Sequence, residues 1–576
     1  MKVQRAAALA ASCLNALTTC HDVDASPAPQ ATTFSNPVLW QDYPDLDVFR
    51  VGDVFYYSSS TFAYSPGAPV LRSYDLVNWE PVTHSVPRLN FGAKYDLGPS
   101  SQAYVKGIWA SSLRYRASTD TFHWLGCVES SRTYVWTAAG THAGRNHGAV
   151  ANANWNWTSH TPPLASCYYD AGLLVDDDAA ETLYVAYGNT RIRVAQLSPD
   201  GLAEVKSQEV YAAAFTVEGS RMYKINGTYY ILVTRPAAAE YVLRSTTGPF
   251  GPYRLAPRPL VSSIAGPLSS GAGFAHQGSI VDTPDGKWYY VAFLDAYPGG
   301  RIPVVAPLTW TPDGWPQLVT DSAGRWGAAY PPPVVNSSWA QAAASPLGTD
   351  AFEGSALSHA WEWNHNPDDA RWRLAGSSNS TSGNGSSNKA AGGVVLQTAT
   401  VTADLFAARN TLTQRILGPK AAGTFRLDAR GMRAGDRAGA VLFRDRAAYI
   451  GVWVDDKNSS VARLVVVSNL TLAQGTWATA SAGTVVATGP ALAADGLGDV
   501  WLRVDADVTP AFGTSTERTA TFAYSVDGGK SFVRLGPAVA MSNSWQLFSG
   551  YRFGVFNHAT RALGGEVTVK SFTMSQ

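Results

Sequence analysis

Three carboxylates and one histidine occupy the same position in a segment that recurs along the chain. Asp45, Asp170, Glu218 and His276 each stand just before an apolar stretch, a turn and an aromatic stretch. The aromatic stretches contain, in the same order, Tyr56, Tyr184, Tyr229 and Tyr289. Carboxylates that converge on one site can divide the roles of general acid and general base between them. An acid at the start of a strand can also cap a turn, and this alternative stays open for each residue taken alone.

The elements that must position these residues are hairpins repeated around one axis. The recurring segment begins at Gln41, Trp109, Tyr169, Val217 and His276, at a period of roughly 50 to 60 residues. Such repetition predicts a β-propeller, in which the innermost strand of each blade lines a central channel. Residues that open those strands converge at one mouth of the channel. We therefore expect the carboxylates and the histidine to face a common pocket.

The composition fits an all-β protein with more than one domain. A chain of 576 residues is too long for a single core. Aromatic residues make up 11% and charged residues only 15%, while Gly and Pro are plentiful, which is typical of many strands and turns. The formal net charge is zero and no long basic run occurs, which argues against a nucleic acid or a membrane surface as partner. A neutral ligand fits better.

The N-terminus has the pattern of a secretory signal peptide over residues 1–25. Lys2 and Arg5 precede an apolar run that Asn15 interrupts, and a Pro/Ala/Ser stretch follows. A disordered N-terminal arm is the alternative. Acceptor sites for N-glycosylation occur at Asn156, Asn226, Asn336, Asn379, Asn384, Asn458 and Asn469. Together these features predict a secreted, extracellular glycoprotein.

Two cysteines remain once the predicted signal, with Cys13 and Cys20, has been removed. Cys127 ends an aromatic strand of the second repeat and Cys167 precedes the third, so neighbouring blades can bring them together. In an oxidising compartment such a pair forms a disulfide. Two buried free thiols are the alternative. No metal-binding spacing accompanies either cysteine.

The residue composition and the pattern of apolar and polar residues change along the chain, which indicates two domains. We expect a propeller domain over residues 26–335, a Pro/Ser/Ala linker over residues 336–350 and a second domain over residues 351–576. In the last part, short segments alternate apolar and polar residues between turn signals, which predicts a β-sandwich. Its acids show no register with the repeat, so we expect the sandwich to shape the substrate site without a catalytic role.

Several stretches together carry a family resemblance. They read QDYPDLDVFRVGDVFYY, GIWASSLRY, YYDAGLLVDDD, VEGSRMYKINGTYY, AHQGSIVDTPDGKW and GGRIPVVAPLTWTPDGWP, followed by WEWNHNPD and ARNTLTQR. In these the chain resembles glycoside hydrolase family 43, in particular its fungal two-domain arabinofuranosidases and xylosidases. The resemblance implies a five-bladed β-propeller followed by a concanavalin-like β-sandwich (jelly roll). It also implies an inverting hydrolase of plant cell-wall pentose polymers.

The resemblance assigns roles to the three acids that the register selects. Asp45, in the PDLD run, matches the general base of the family, and Glu218, in VEGS, matches the general acid. Asp170, in YYDAG, matches the aspartate that orients the acid and raises its pKa. Leu46 departs from the proline that commonly follows the base. Other acids near these motifs, Asp47 and residues 176–178, are expected to lie in turns and on the surface.

The resemblance also supplies a sugar pocket. Phe62, Trp109 and Tyr169 match its aromatic walls, and Arg301 matches a residue that contacts the terminal sugar. Trp109 can alternatively fill a blade interface, and the stem of Arg301 can pack between blades. His276 matches a histidine that in some members helps to hold a calcium or sodium ion, and it can equally well make only a hydrogen bond across the axis. No other cofactor is implied.

The combined prediction is a monomeric, exo-acting enzyme that releases α-L-arabinofuranosyl branches from arabinoxylan. Xylose and arabinofuranose present similar hydroxyl groups to a pocket, so a β-xylosidase is the alternative that the three acids do not separate. A catalytically inactive carbohydrate-binding propeller is a second alternative, because a fold alone does not grant activity. A retaining fructan hydrolase is disfavoured, since its NDPNG-like nucleophile motif is absent from the chain.

Overall fold

Antiparallel sheets follow one another along the first half of the chain and form the predicted five-bladed propeller. The computed structural model describes residues 33–98, 101–140, 155–264, 266–268, 270–334, 345–376, 392–458, 461–493 and 496–576. The predicted signal peptide and three glycosylation sites, Asn336, Asn379 and Asn384, lie outside these residues. Among the described residues no helix is long and apolar enough to cross a membrane.

The blades have these strands, from the innermost outwards. Blade 1 consists of Asp47–Val51, Val54–Ser58, Gly67–Ser73 and Glu80–Val86. Blade 2 consists of Ser112–Arg116, Thr121–Val128, Arg132–Ala139 and Thr158–Leu164. Blade 3 consists of Gly172–Val175, Leu183–Tyr187, Arg191–Leu197 and Glu204–Ala212. Blade 4 consists of Glu218–Ile225, Thr228–Arg235, Ala239–Ser245 and Arg254–Leu255, with Val261–Ser262 beside its third strand. Blade 5 consists of His276–Asp282, Trp288–Asp295, Arg301–Trp310 and Pro316–Leu318.

Contacts between blades 1 and 5 close the propeller. The backbone N–H of Val48 donates to Ser279 Oγ at 3.1 Å. The Arg50 guanidinium reaches the carboxylate of Asp282 at 2.5 Å. A two-stranded sheet of Phe34–Ser35 and Ala329–Tyr330 joins the chain that precedes the first blade to the chain that follows the last. The ring therefore closes through side chains and a short clasp of backbone hydrogen bonds.

Two acids that the sequence places on the surface are buried. Asp47 is 0% exposed and pairs with Arg114 of blade 2 at 2.7 Å and with Arg221 of blade 4 at 3.6 Å. Asp176 is 3% exposed and accepts hydrogen bonds from Lys224 and Tyr229. The surface prediction was wrong for both, because cations on other strands face them. It holds for residues 177 and 178, which are exposed.

The second half of the chain forms the predicted sandwich of two antiparallel sheets. One sheet has the order Trp372–Leu374, Val394–Gln397, Glu566–Ser575, Lys420–Asp428, Val500–Asp507, Thr519–Ser525 and Val533–Arg534, with Gly348–Asp350 and Val539–Ala540 paired at its sides. The other has the order Thr479–Leu492, Ala462–Leu472, Arg446–Val454, Asp436–Phe443, Arg552–Ala559, Leu412–Arg415, Trp361–Asn364 and Tyr64–Ser65. Short 3-10 helices lie at Ala93–Asp96, Asp369–Arg371, Leu405–Ala407 and Gly496–Gly498.

Alternation of side chains explains the sandwich core. In Val500–Asp507 every second residue is buried, beginning with Val500, as expected for a strand with one face against a second sheet. Phe425, Phe553 and Phe572 meet between the sheets, with ring centroids 4.6 Å apart for Phe425 and Phe572. The first paired strand, Gly348–Asp350, already lies inside the segment predicted as a linker.

Propeller and sandwich share a strand pairing. Tyr64–Ser65, a segment of the propeller, is the last strand of the second sandwich sheet and pairs with Trp361–Asn364. Behind it, the fully buried Glu362 accepts from Arg415 at 2.8 Å and from Arg552 at 2.6 Å, and lies 3.0 Å from His84 of blade 1. The WEWNHNPD segment therefore packs directly against the propeller.

Cys127 and Cys167 form a disulfide with a Cα–Cα distance of 5.1 Å. Cys127 belongs to the second strand of blade 2, and Cys167 precedes the first strand of blade 3. Of the two alternatives that the sequence leaves open, the disulfide is the one present in the structure.

Candidate active site

A cavity of about 130 Å³ lies where the inner strands of the propeller begin. It is lined by Asp45, Phe62, Trp109, Ala110, Tyr169, Asp170, Glu218, Gln277, Arg301 and Phe548. The pocket thus brings together every residue predicted for the site except His276. It also includes a residue of the sandwich, Phe548.

The backbone at the start of the inner strands explains how these side chains reach the pocket. Asp45, Asp170 and Gln277 have left-handed backbone angles, with φ of 56°, 48° and 48°, and Gly219 beside Glu218 has φ of 66°. Non-glycine residues rarely adopt this conformation, and they do so mainly where the surrounding structure holds them. In blades 4 and 5 the register also shifts directly after the first paired residue. Such bulges re-aim side chains that regular strands would point elsewhere.

One arginine holds the strand openings of three blades together. Arg221 is 0% exposed. Its guanidinium donates to the backbone carbonyls of Asp45 at 3.1 Å and Leu46 at 2.9 Å in blade 1, and to that of Ala171 at 2.8 Å in blade 3. Arg221 itself lies three positions after Glu218 in blade 4. The arginine therefore fixes the backbone beside all three acids at once.

Asp45 faces a cation. Arg301 Nη1 donates to Asp45 Oδ1 and Arg301 Nε lies 3.3 Å from Asp295 Oδ1. Asp45 is 6% exposed. Arg301 therefore holds the Asp45 side chain in place within the pocket.

Glu218 lies at the edge of the pocket with two donors. Tyr169 Oη and Asn189 Nδ2 each donate to Glu218 Oε2 at 3.2 Å. Burial raises the pKa of Glu218 above its ordinary value, the hydrogen bond from Tyr169 lowers it, and the negative charge of Asp45 raises it further. A carboxyl group with a raised pKa keeps its proton closer to neutral pH, as a general acid must.

Asp170 is the more deeply placed partner of Glu218. Burial raises its pKa well above the ordinary value, and the charges of Glu218 and Asp45 raise it further. Arg221 and the N–H of Gly219 oppose this rise. The two acids are coupled electrostatically, because ionisation of one disfavours ionisation of the other. The sequence-based expectation gave Asp170 the role of raising the pKa of Glu218. In the structure Glu218 raises the pKa of Asp170, and burial and Asp45 raise the pKa of Glu218, so the role of Asp170 stays a prediction.

Aromatic rings form the walls. Phe62 of the propeller and Phe548 of the sandwich stack at 5.9 Å with an interplanar angle of 19°. Trp109 meets Tyr169 edge to face at 6.3 Å. The Arg301 guanidinium lies 5.2 Å from the centre of the Phe548 ring. The pocket therefore combines charged groups at its base with apolar rings at its sides, as ligand sites commonly do.

Comparison with known proteins identifies the family. Residues 34–316 match the profile of glycosyl hydrolases family 43 and residues 349–575 match the beta xylosidase C-terminal concanavalin A-like domain. A solved structure is 63% identical, covers 94% of this chain and 100% of its own, and has a TM-score of 0.89. That structure comes from work in which the active site of a GH43 glycoside hydrolase was engineered to give both endo-xylanase and exo-arabinofuranosidase activity. The chain belongs to glycoside hydrolase family 43.

Curated relatives in the same family carry two different names. A protein of Formosa agariphila named beta-xylosidase is 26% identical and covers 94% of this chain and 90% of its own length. A protein of Bacteroides ovatus named non-reducing end alpha-L-arabinofuranosidase is 27% identical and covers 59% of this chain and 63% of its own. The family 43 assignment therefore establishes a glycoside hydrolase and leaves the sugar open.

Three pocket residues were missed by sequence reasoning: Ala110, Gln277 and Phe548. Gln277 directly follows His276, and its N–H donates at 2.9 Å to the buried Glu240, whose pKa burial raises to about 8. The bulge in blade 5 moves the pocket-facing position by one residue, from His276 to Gln277, and counting residues along the repeat does not reveal this shift.

Phe548 was missed because it belongs to the sandwich domain. Its loop is held by Asp42, which accepts from the N–H of Gly550 and from that of Arg301, both at 2.8 Å.

His276 lies beneath the pocket. It is 3% exposed, its Nδ1 is 2.9 Å from the carbonyl oxygen of Phe274, and its Nε2 is 3.9 Å from Asp295 Oδ2. Burial lowers its pKa, so the ring is neutral. Of the described residues, no group of three or more His, Cys, Asp or Glu side chains could hold a metal ion. Asp295 already faces Arg301, so these protein groups do not fit a cation site, and no step of the reaction is derived through an ion.

Proposed function

We propose that this chain is an inverting, exo-acting α-L-arabinofuranosidase that removes branches from arabinoxylan. Asp45 acts as the general base on a water molecule, Glu218 as the general acid on the departing oxygen, and Asp170 as the residue that orients Glu218 and raises its pKa. Phe62, Trp109 and Tyr169 enclose the sugar, and Arg301 contacts it while holding Asp45 in position.

The observation that carries this proposal is the meeting of three carboxylates in one small, aromatic-walled cavity. A space of about 130 Å³ is smaller than the usual pocket for a drug-sized ligand and suits a single sugar ring. The stacked pair of Phe62 and Phe548 closes one side. A pocket of this size admits the single sugar at the end of a branch more readily than the middle of a chain, which favours exo action.

Each turnover transfers one proton to Asp45 and one proton from Glu218. Asp45, beside Arg301, takes a proton from water as the water's oxygen attacks the anomeric carbon. Glu218 gives its proton to the glycosidic oxygen as the old bond breaks, so no free alkoxide is formed. Asp45 then ends protonated and Glu218 ionised, and exchange with solvent restores both. In an inverting enzyme the two carboxyl groups stand on opposite faces of the sugar with room for the water between them.

The choice of arabinose is supported by the name of one relative and by the exo-arabinofuranosidase activity described for the 63% identical structure. A β-xylosidase is the second candidate, because the relative that covers 94% of this chain bears that name. The polymer partner and a monomeric state remain part of the proposal.

Sugar release separates the two candidates. Wheat arabinoxylan and linear xylo-oligosaccharides are incubated with the enzyme side by side. Arabinose from the branched polymer with no xylose from the linear chain is expected. Xylose from the linear chain without arabinose from the polymer would overturn the arabinose assignment in favour of the xylosidase. Proton NMR of the first-formed sugar tests the mechanism, and retention of the anomeric configuration would exclude it.

We further propose that the protein is secreted. The Cys127–Cys167 disulfide supports this, since such bonds persist in oxidising compartments. The acceptor residues Asn156, Asn226 and Asn469 are exposed. Intact mass of the protein recovered from culture medium, before and after enzymatic removal of N-glycans, tests the proposal. An unprocessed, unglycosylated chain retained in the cell would contradict it.

A further inference from the structure

A second cavity, of about 270 Å³, lies between blade 1 and the sandwich and shares no lining residue with the pocket. We call it the interface groove. Its lining includes His84 and Arg88 from the propeller side, and His359, Trp363, Asp369 and Trp372 from the sandwich side. The catalytic proposal uses none of these residues.

A pair of tryptophans forms one wall of the interface groove. The rings of Trp363 and Trp372 lie 5.0 Å apart at an angle of 50°. Trp363 is 3% exposed and Trp372 is partly exposed, so Trp363 supports the ring that Trp372 offers to the groove. The Trp372 Nε1 donates to Asp369 Oδ1 at 3.2 Å, which fixes the orientation of that ring. A rigid, partly exposed aromatic face is a surface on which the C–H face of a sugar can stack.

The polar groups of the groove suit a neutral ligand. Arg88 and Asp369, the Arg and Asp of its lining, pair at 2.8 Å, so these two charges compensate each other. Among the described residues none makes a hydrogen bond to the His359 ring. Burial and the neighbouring His84 lower the pKa of His359 to about 4. The neutral imidazole has one donor and one acceptor, the pair of functions that adjacent hydroxyl groups complement.

We propose that the interface groove binds a stretch of the xylan main chain at a distance from the catalytic pocket. The stacking face of Trp372, the His359 ring with its open donor and acceptor, and the balanced charge of the rim together point to a neutral polysaccharide. That this polysaccharide is xylan rests on the proposed function.

The groove lies close enough to assist the pocket. Phe62 lines the pocket and Pro66 lines the groove, and the chain between them spans at most about 14 Å. Polymer held at the groove therefore raises the local concentration of its branches near the pocket. A small substrate that cannot reach both sites gains nothing from the groove.

The test compares Trp372→Ala and His359→Ala with Trp501→Ala, a matched change of a partly exposed tryptophan elsewhere on the sandwich. The KM for wheat arabinoxylan is expected to rise roughly three- to tenfold in the two groove variants and to stay unchanged in the control. The kcat/KM for an aryl α-L-arabinofuranoside is expected to stay unchanged in all three. An equal loss on both substrates, or unchanged KM for the polymer, would overturn the proposal. Trp372→Phe, which keeps an aromatic face, should bind like the wild type and replaces Trp372→Ala if that variant does not fold.

Binding without turnover separates this proposal from the proposed function. The Glu218→Gln enzyme is run through a native gel that contains linear xylan, with and without Trp372→Ala. Retardation that disappears with Trp372→Ala supports the groove even if the wild-type enzyme releases no arabinose. Equal mobility of the two proteins in the xylan gel would refute the groove even if arabinose is released.

Discussion

The pocket and the propeller–sandwich interface both bury carboxylates, with opposite electrostatic results. In the pocket, Asp170 and Glu218 have raised pKa values, because burial and neighbouring carboxylates disfavour their charged forms. At the interface, burial is at least as complete for Glu362, yet Arg415 and Arg552 hold its pKa well below the ordinary range. The difference lies in the balance of charge around each acid and not in its depth.

This contrast indicates what each region does. A carboxylate between two guanidinium groups is a fixed charge whose loss leaves two cations unpaired. Carboxyl groups that raise each other's pKa are poised to exchange a proton. We therefore expect amide substitution to abolish chemistry in the pocket and to weaken the fold at the interface.

The largest expected effect is on turnover. Asp45→Asn and Glu218→Gln should each lower kcat on an aryl arabinofuranoside by about a thousandfold or more, because each removes a proton-transfer group. The thermal midpoint should stay near that of the wild type. Asp285→Asn, a change in a surface turn with a half-exposed carboxylate, is the control. A Glu218→Gln enzyme with normal kcat would end the assignment.

The second effect is on stability. Glu362→Gln should lower the free energy of unfolding by about 3 kcal/mol, since it leaves Arg415 and Arg552 without a counter-charge. Because the folded pKa of Glu362 is depressed, its contribution is present above the pKa of the unfolded chain and is lost as the pH falls. Urea unfolding at neutral pH measures the change, with the exposed Glu566→Gln as control. Equal stability of the two variants would show that the interface charges are dispensable.

The third prediction concerns Arg221, which positions the backbone beside the three acids. Arg221→Lys should lower kcat by roughly 10- to 100-fold with little change in KM, because an ammonium group cannot serve carbonyls in three blades at once. The exposed Arg191→Lys serves as control. A pH–rate profile accompanies the measurement: displaced carboxyl groups should alter its limbs, whereas a merely less stable protein would keep the wild-type shape. Normal kcat together with an unchanged profile would remove the positioning role.

The smallest effect concerns Asp170. Because the pKa of Asp170 is raised in the folded protein, the wild type loses stability relative to Asp170→Asn as the pH rises through that pKa. At acidic pH the free energies of unfolding of the two proteins should become equal. The variant should therefore be more stable than the wild type at neutral pH, because it has no charge to bury at this position. Loss of the neighbouring carboxylate should also move the alkaline limb of the pH–rate profile, which Glu218 sets, to lower pH. An unmoved limb would mean that Asp170 acts by orientation alone.

The propeller and its three acids could be predicted from the repeat, because equivalent positions of the blades lie around one axis. The pocket residues Phe62, Trp109, Tyr169 and Arg301 were predicted only from the family resemblance, and His276, which the repeat also selected, does not line the pocket. Asp45, Asp170 and Glu218 were found since each opens an inner strand. The pairing of buried Asp47 with cations was not predicted, because its partners, Arg114 and Arg221, come from blades 2 and 4, far away in the sequence. The aromatic Trp-Gln-Leu-Phe loop that ends at Phe548 was the one signal for that wall, and nothing local links it to the propeller.

Each domain contributes residues to the other, and this limits recombination between the genes of related enzymes. Tyr64–Ser65 completes a sandwich sheet, and Phe548 completes the propeller's pocket. A chimera that joins this propeller to the sandwich of a distant relative would inherit a mismatched sheet edge and a mismatched pocket wall together. We therefore expect the propeller and the sandwich to evolve together as a pair, although each has its own hydrophobic core.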